Sequence, residues 1–110
     1  MRTTGKIVVL AVAAGLVFPA AVLYGAEKSE SKGAKLFEQH CSACHPAGGN
    51  IIKPAMTLHK KDREAHGVKT AKDIVGTMRN PKPGMMKFDS KTIPDKDAME
   101  IAEYILATYK

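Results

Sequence analysis

Five consecutive residues, Cys41-Ser42-Ala43-Cys44-His45, constrain this chain more than any other stretch, and they include both of its cysteines. Two cysteines three positions apart on one helical turn project to the same side. C-x-x-C-H is the spacing by which haem is attached covalently to a polypeptide. Each sulfur can add to one vinyl group as a thioether, and His45 can offer an imidazole nitrogen to the iron. Other uses of the motif fit less well. A Cys41–Cys44 disulfide explains neither the adjacent histidine nor the long loops. A thioredoxin-like dithiol belongs in a βαβ context, which is absent. A zinc knuckle needs two further ligands at knuckle spacing, and His40, His59 and His66 are not suitably paired. The expectation is one haem c per chain, bound through Cys41 and Cys44.

The N-terminal region reads as a leader. Arg2 and Lys6 precede an apolar run from Ile7 to Leu23, followed by Gly25 and Ala26 and then the charged run 27–32. That order is the pattern of a secretory signal peptide. Residues 1–26 are expected to be removed, leaving 27–110 as a single domain, with an uncleaved membrane anchor as the alternative. A spanning helix usually needs about 20 apolar residues. No cysteine stands near the leader's end, which argues against a lipid-anchored form. Without Arg2 and Lys6, fifteen basic residues face eleven acidic ones. The remaining domain has no tryptophan and few aromatic residues, so its core is thin. Domains of this size often rely on a staple, a metal or a cofactor.

Three helices are expected in 27–110. The first runs from about Ser31 to His40, with Leu36 and Phe37 on its apolar face, and leads into Cys41. The second opens on Thr70 and Asp73, a variant of the capping box. Its Ala71, Ile74, Val75 and Met78 follow the helical period, and Asn80-Pro81 ends it. The third follows Pro94, with Asp95 and Asp97 favourable in its first turn. Its apolar stripe is Ala98, Ile101, Ala102, Ile105 and Tyr109. No segment alternates as a strand would, and the rest reads as loop. An all-α domain with long loops wrapped around a cofactor is the implied architecture. A second iron ligand must come from elsewhere, and methionine, histidine or none would imply different functions. Met85 and Met86 lie in a loop stiffened by Pro81, Pro83 and Gly84, which suits a segment that must aim a thioether. Met56, Met78 and Met99 read as packing residues.

With these features in place, the chain resembles the class I c-type cytochromes, in particular the small single-haem cytochrome c-six group and its bacterial relatives. The resemblance covers nearly all of 31–110. It is carried by Gly33-Ala-Lys-Leu-Phe37 before the motif and Pro46-Ala-Gly-Gly-Asn50-Ile-Ile after it. Pro54-Ala-Met-Thr-Leu58, Gly84-Met85 with Phe88, and Ile101-Ala-Glu-Tyr104-Ile complete it. Met86 stands where the family usually has proline. The resemblance implies a class I cytochrome c fold with three or more short helices around one haem. It implies His45 as one axial ligand and Met85 as the other, with Met86 as the alternative. It places Asn50 near a haem propionate, and Gly33 and Phe37 against Tyr104 where the first and last helices cross. The expected function is periplasmic shuttling of one electron between redox proteins, without enzymatic activity. A haem enzyme or gas sensor with a labile sixth ligand is the alternative. Lys53, Lys82 and Lys87 would steer an acidic docking surface. A monomer is expected, with no nucleic-acid partner and no membrane span once the leader is cleaved. The thylakoid lumen and a membrane-anchored form are the lesser alternatives for location.

Overall fold

The structure is a computed structural model that describes residues 30–110, together with 11 and 13–15. The leader expected over 1–26 therefore lies almost wholly outside the described residues. Four α-helices follow in order: α1 (Lys32–His40), α2 (Lys60–Ala65), α3 (Ala71–Arg79) and α4 (Asp95–Thr108), with a short 3-10 turn at Pro46–Gly48. There is no strand among the described residues, as expected for an all-α class I cytochrome c fold.

Local signals account for three of the helices. The Ser31 hydroxyl caps α1 by accepting from the Ala34 amide at 3.1 Å. In α3 the full capping box forms. The Thr70 hydroxyl accepts from the Asp73 amide at 3.1 Å, and the Asp73 carboxylate accepts from the Thr70 amide at 2.9 Å. These bonds satisfy donors that every helix start leaves open. They also hold the Asp73 carboxyl below the usual carboxylate range, the Thr70 amide contributing most. Pro94 enters α4 in extended geometry, and Asp95 and Asp97 face the positive end of its dipole. Helix α2 is a correction to the sequence reading, which left this stretch as loop.

Helix α4 is the spine, and both α1 and α3 pack against it. Ala98, Ile101, Ala102 and Ile105 are its buried stripe, meeting Phe37 from α1 and Ile74 and Met78 from α3. Met99, read as a packing residue, is exposed on the flank instead. The α1–α4 crossing depends on Gly33. A Cβ there would sit on the Glu100 carbonyl oxygen and 2.9 Å from the Tyr104 Cβ. Phe37 and Tyr104 stack beside it with ring centroids 5.3 Å apart. The missing side chain thus lets two backbones touch.

Arg63, on α2, is the one buried charged residue among the described residues, at 6% exposed. Its guanidinium donates to three carbonyl oxygens: Leu58 at 2.6 Å, Val68 at 3.4 Å and Tyr109 at 3.4 Å. It joins both flanks of α2 to the C-terminal end of α4. Burying a cation is costly unless hydrogen bonds compensate, and here three backbone acceptors do so.

Candidate functional site

Beneath the helices lies a cavity of about 300 Å³, the low end of the range for ligand sites. Its wall includes Cys41, Cys44 and His45 from the turn after α1, and Met85 and Met86 from the loop between α3 and α4. Forty residues of chain separate these two segments, and the fold brings them to one space.

The turn is built tightly. The amides of Cys41 and Ser42 both donate to the Phe37 carbonyl, at 2.8 and 3.0 Å, and those of Cys44 and His45 to the Cys41 carbonyl, at 3.2 and 2.9 Å. The chain then reverses through Ala47 and Gly48, both with positive φ. Gly48 is required twice over: its φ is +76°, and a Cβ would come within 2.6 Å of the Tyr109 ring. The reversal puts the Gly49 carbonyl 2.7 Å from His45 Nδ1. With a proton on Nδ1 donated to that oxygen, Nε2 keeps its lone pair for a metal.

Both cysteines are free thiols. Burial pushes the Cys41 thiol up to about 11, with a further push from Cys44. A thiol held protonated in this way lacks the thiolate character of a catalytic dithiol. No group of three or more His, Cys, Asp and Glu among the described residues is arranged to hold a metal ion. The motif is therefore not a preformed zinc site. A mostly apolar cavity with two free thiols, an imidazole held by a backbone carbonyl and a thioether fits a haem bound through side chains.

The two methionines differ. Met85 is half-buried and packs on the core, whereas Met86 is 69% exposed. Asn50 lines the cavity, but its amide is engaged within its own loop. Oδ1 accepts from the amides of Ile52 and Lys53 at 3.0 and 2.8 Å, and Nδ2 donates to the Met56 carbonyl at 3.0 Å. His40 and His66 also reach the cavity wall. His40 meets Phe88 edge-on at 6.2 Å, His66 Nδ1 lies 2.7 Å from the Asp62 carbonyl, and His59 packs on Tyr109. Two features were missed by the sequence reading. One is the buried Arg63 on the cavity wall. The other is the exposed apolar pair Ile51 and Ile52, of which Ile52 borders Gly84 of the methionine loop. Lys53, Lys82 and Lys87, in the same two loops, are exposed.

Residues 28–105 match the family described as cytochrome c oxidase, cbb3-type, subunit III. The cytochrome c6 of Nostoc sp. is 34% identical over 74 residues, which is 67% of this chain and 66% of that protein. The cytochrome c6 of Bumilleriopsis filiformis is 35% identical, over 68% of this chain and 86% of its own length. Among solved structures, the outer-membrane cytochrome OmcF of Geobacter sulfurreducens superposes with a TM-score of 0.70 at 45% identity, covering 71% of this chain and 99% of that one. Cytochrome c6 of the diatom Phaeodactylum tricornutum gives 0.64 at 31% identity, covering 71% and 91%.

Proposed function

Since the chain belongs to the small class I c-type cytochromes, whose members bind haem c and carry electrons, we propose that it is an exported single-haem carrier with His45 and Met85 as axial ligands. The observation that carries this reading is the shared cavity, lined at once by Cys41, Cys44, His45 and the Met85 loop. Bound there, the haem iron supplies a one-electron ferric–ferrous couple.

The chain's own residues do the rest. Cys41 and Cys44 would hold the group as two thioethers, each thiol hydrogen being retained on a former vinyl carbon, so no oxidant would be needed. His45 presents Nε2 because the Gly49 carbonyl holds its other nitrogen. Met85 presents its thioether, which favours the ferrous form and raises the potential. Asn50 keeps the 50–56 loop folded against the cavity, and its second Nδ2 hydrogen is left for a propionate. The exposed Ile51, Ile52 and Met86, with the exposed Lys53, Lys82 and Lys87 of the same two loops, form a contact face for an acidic redox protein. The lysines speed encounter, and salt screens their effect.

The leader reading places residues 27–110 outside the cytoplasm as one monomeric domain, in the periplasm of a bacterial source. No helix among the described residues is long and apolar enough to cross a membrane. The match to a family described as an oxidase subunit favours one variant of the reading, a redox subunit tethered by an uncut leader. The mass of the exported protein separates the two: a start near Glu27 plus one haem supports the free shuttle.

The ferric optical spectrum tests the ligation. A methionine–iron charge-transfer band is expected, lost in Met85→Ala and retained in Met86→Ala. The reverse pattern would transfer the ligand role to Met86. A high-spin spectrum that responds at once to cyanide would overturn the carrier reading in favour of a haem enzyme or gas sensor.

A further inference from the structure

The loop that carries Met85 is fastened in an unusual way. From Asn80 to Lys87 its one internal backbone bond runs from the Met85 amide to the Lys82 carbonyl, at 3.3 Å. Pro81 and Pro83 have no amide hydrogen to contribute. Among the described residues, no side chain from Asn80 to Lys87 has a hydrogen-bond partner. The loop is held at its return instead. The Phe88 amide donates to the Met78 carbonyl at 2.9 Å, and the Phe88 carbonyl accepts from Arg79 Nη1 at 2.9 Å. Both polar groups of one loop residue are thus bound by consecutive residues at the end of α3.

Arg79 reaches further. Its Nη2 donates to the Ile93 carbonyl at 2.9 Å and to Asp95 Oδ1 at 2.8 Å. One guanidinium therefore gathers the loop's return, its last residues and the start of α4. The side chain of Arg79 is 20% exposed and that of Asp95 is 86% exposed. The ion pair is solvated and weak, whereas Phe88 and Ile93 are buried. The two carbonyl bonds are the part that matters. A planar fork can serve such separated acceptors together, and an ammonium cannot.

We propose that Arg79 is the positioning residue of the methionine loop. By fixing Phe88, three residues beyond Met85, it sets how firmly the thioether is presented. The proposal rests on the reading of Met85 as the ligand. Phe88 also meets His40 edge-on at 6.2 Å, next to Cys41, so the same clasp links the two segments that line the cavity. Loss of the fork frees the loop to swing and leaves the rest of the core in place.

The test uses the haem-loaded chain and follows the rate at which imidazole replaces the native sixth ligand of the ferric protein. The charge-transfer band is recorded against pH alongside. Arg79→Met is expected to bind imidazole about tenfold faster, the factor that corresponds to one or two lost hydrogen bonds, and to lose the band at lower alkaline pH. Arg79→Lys should fall between it and wild type. Asp95→Asn, which removes only the exposed ion pair, and Thr70→Ala, which weakens the far end of α3, should bind imidazole within about twofold of wild type. Urea unfolding separates general destabilisation from loop release. If Arg79→Met, or Arg79→Lys should Arg79→Met fail to fold, unfolds more easily yet exchanges ligand at the wild-type rate, Arg79 supports only the fold and the proposal is wrong. A wild-type protein with no methionine–iron band would remove the Met85 reading, and this proposal with it.

Discussion

The two walls of the cavity are built on opposite plans. The turn from Cys41 to Ile51 is bonded almost residue by residue to α1 and to itself. It is also braced from outside: the Leu58 amide donates to the Gly48 carbonyl at 2.7 Å, and Tyr109 covers Gly48. The Met85 loop has one long internal bond and depends on fastenings at its ends. The difference has a chemical reading. Under the proposed function, a site that attaches its cofactor by two covalent bonds and an imidazole needs a rigid frame there. On the same proposal the thioether is a weaker donor that only has to be delivered, and local motion on that side costs less of the fold. In a stability test, the imidazole wall should be intolerant and the thioether wall forgiving.

The largest expected difference is between two glycines. Gly48→Ala adds left-handed strain and a clash with the Tyr109 ring, and should cost about 2–5 kcal/mol in urea unfolding of the haem-loaded protein. Arg63→Met comes next. It strips three carbonyls on the imidazole side of their donor and should cost about 2–4 kcal/mol by the same measurement. Gly84→Ala, in the methionine loop, should cost only about 1–2 kcal/mol. Its φ is +103°, but an added Cβ would meet nothing nearer than an Ile52 methyl at 3.4 Å. A Gly84→Ala loss equal to that of Gly48→Ala would erase the contrast between the walls.

The smallest effect is on acid stability. Asp89, just past the loop, accepts from the Thr92 and Lys91 amides at 2.8 and 3.0 Å, and the Thr92 amide does most to hold its carboxyl below the usual range. A carboxyl lowered by folding stabilises the native state above the ordinary aspartate pKa of about 4. That contribution is lost as pH falls through the native value. Asp89→Asn should therefore flatten the fall in stability below about pH 4 and change little at pH 7. An unchanged acid limb would show that the bonds form equally in the unfolded chain.

Much of this was legible in the sequence where the cause was local. Thr70 and Asp73, Pro94, and the apolar stripe of α4 announce their helices through neighbours within four residues. The crossing of Gly33 and Phe37 with Tyr104 followed from the family resemblance, and the helices do cross there. Helix α2 was not legible. Its six residues, Lys60–Ala65, carry no apolar period, and its cap His59 makes no side-chain bond. Nothing in the charged run 60–65 marks Arg63 for burial. One of its three acceptors, the Tyr109 carbonyl, lies 46 residues away, and no local pattern encodes that meeting. Met85 was preferred to Met86 on the resemblance alone, and the packing of the loop against the core adds a physical difference between them. For Asn50 the place beside the cavity was readable, but not that Oδ1 and one Nδ2 hydrogen would fold its own loop.

The dependence of α1 on α4 has a consequence for the order in which the protein matures. A chain made from its N-terminus presents Cys41 and Cys44 early, while the residues that enclose Phe37 and Gly33 are still to come. Until 95–108 emerge, the first helix lacks the main surface it docks against. The later helix is the one that shuts the door.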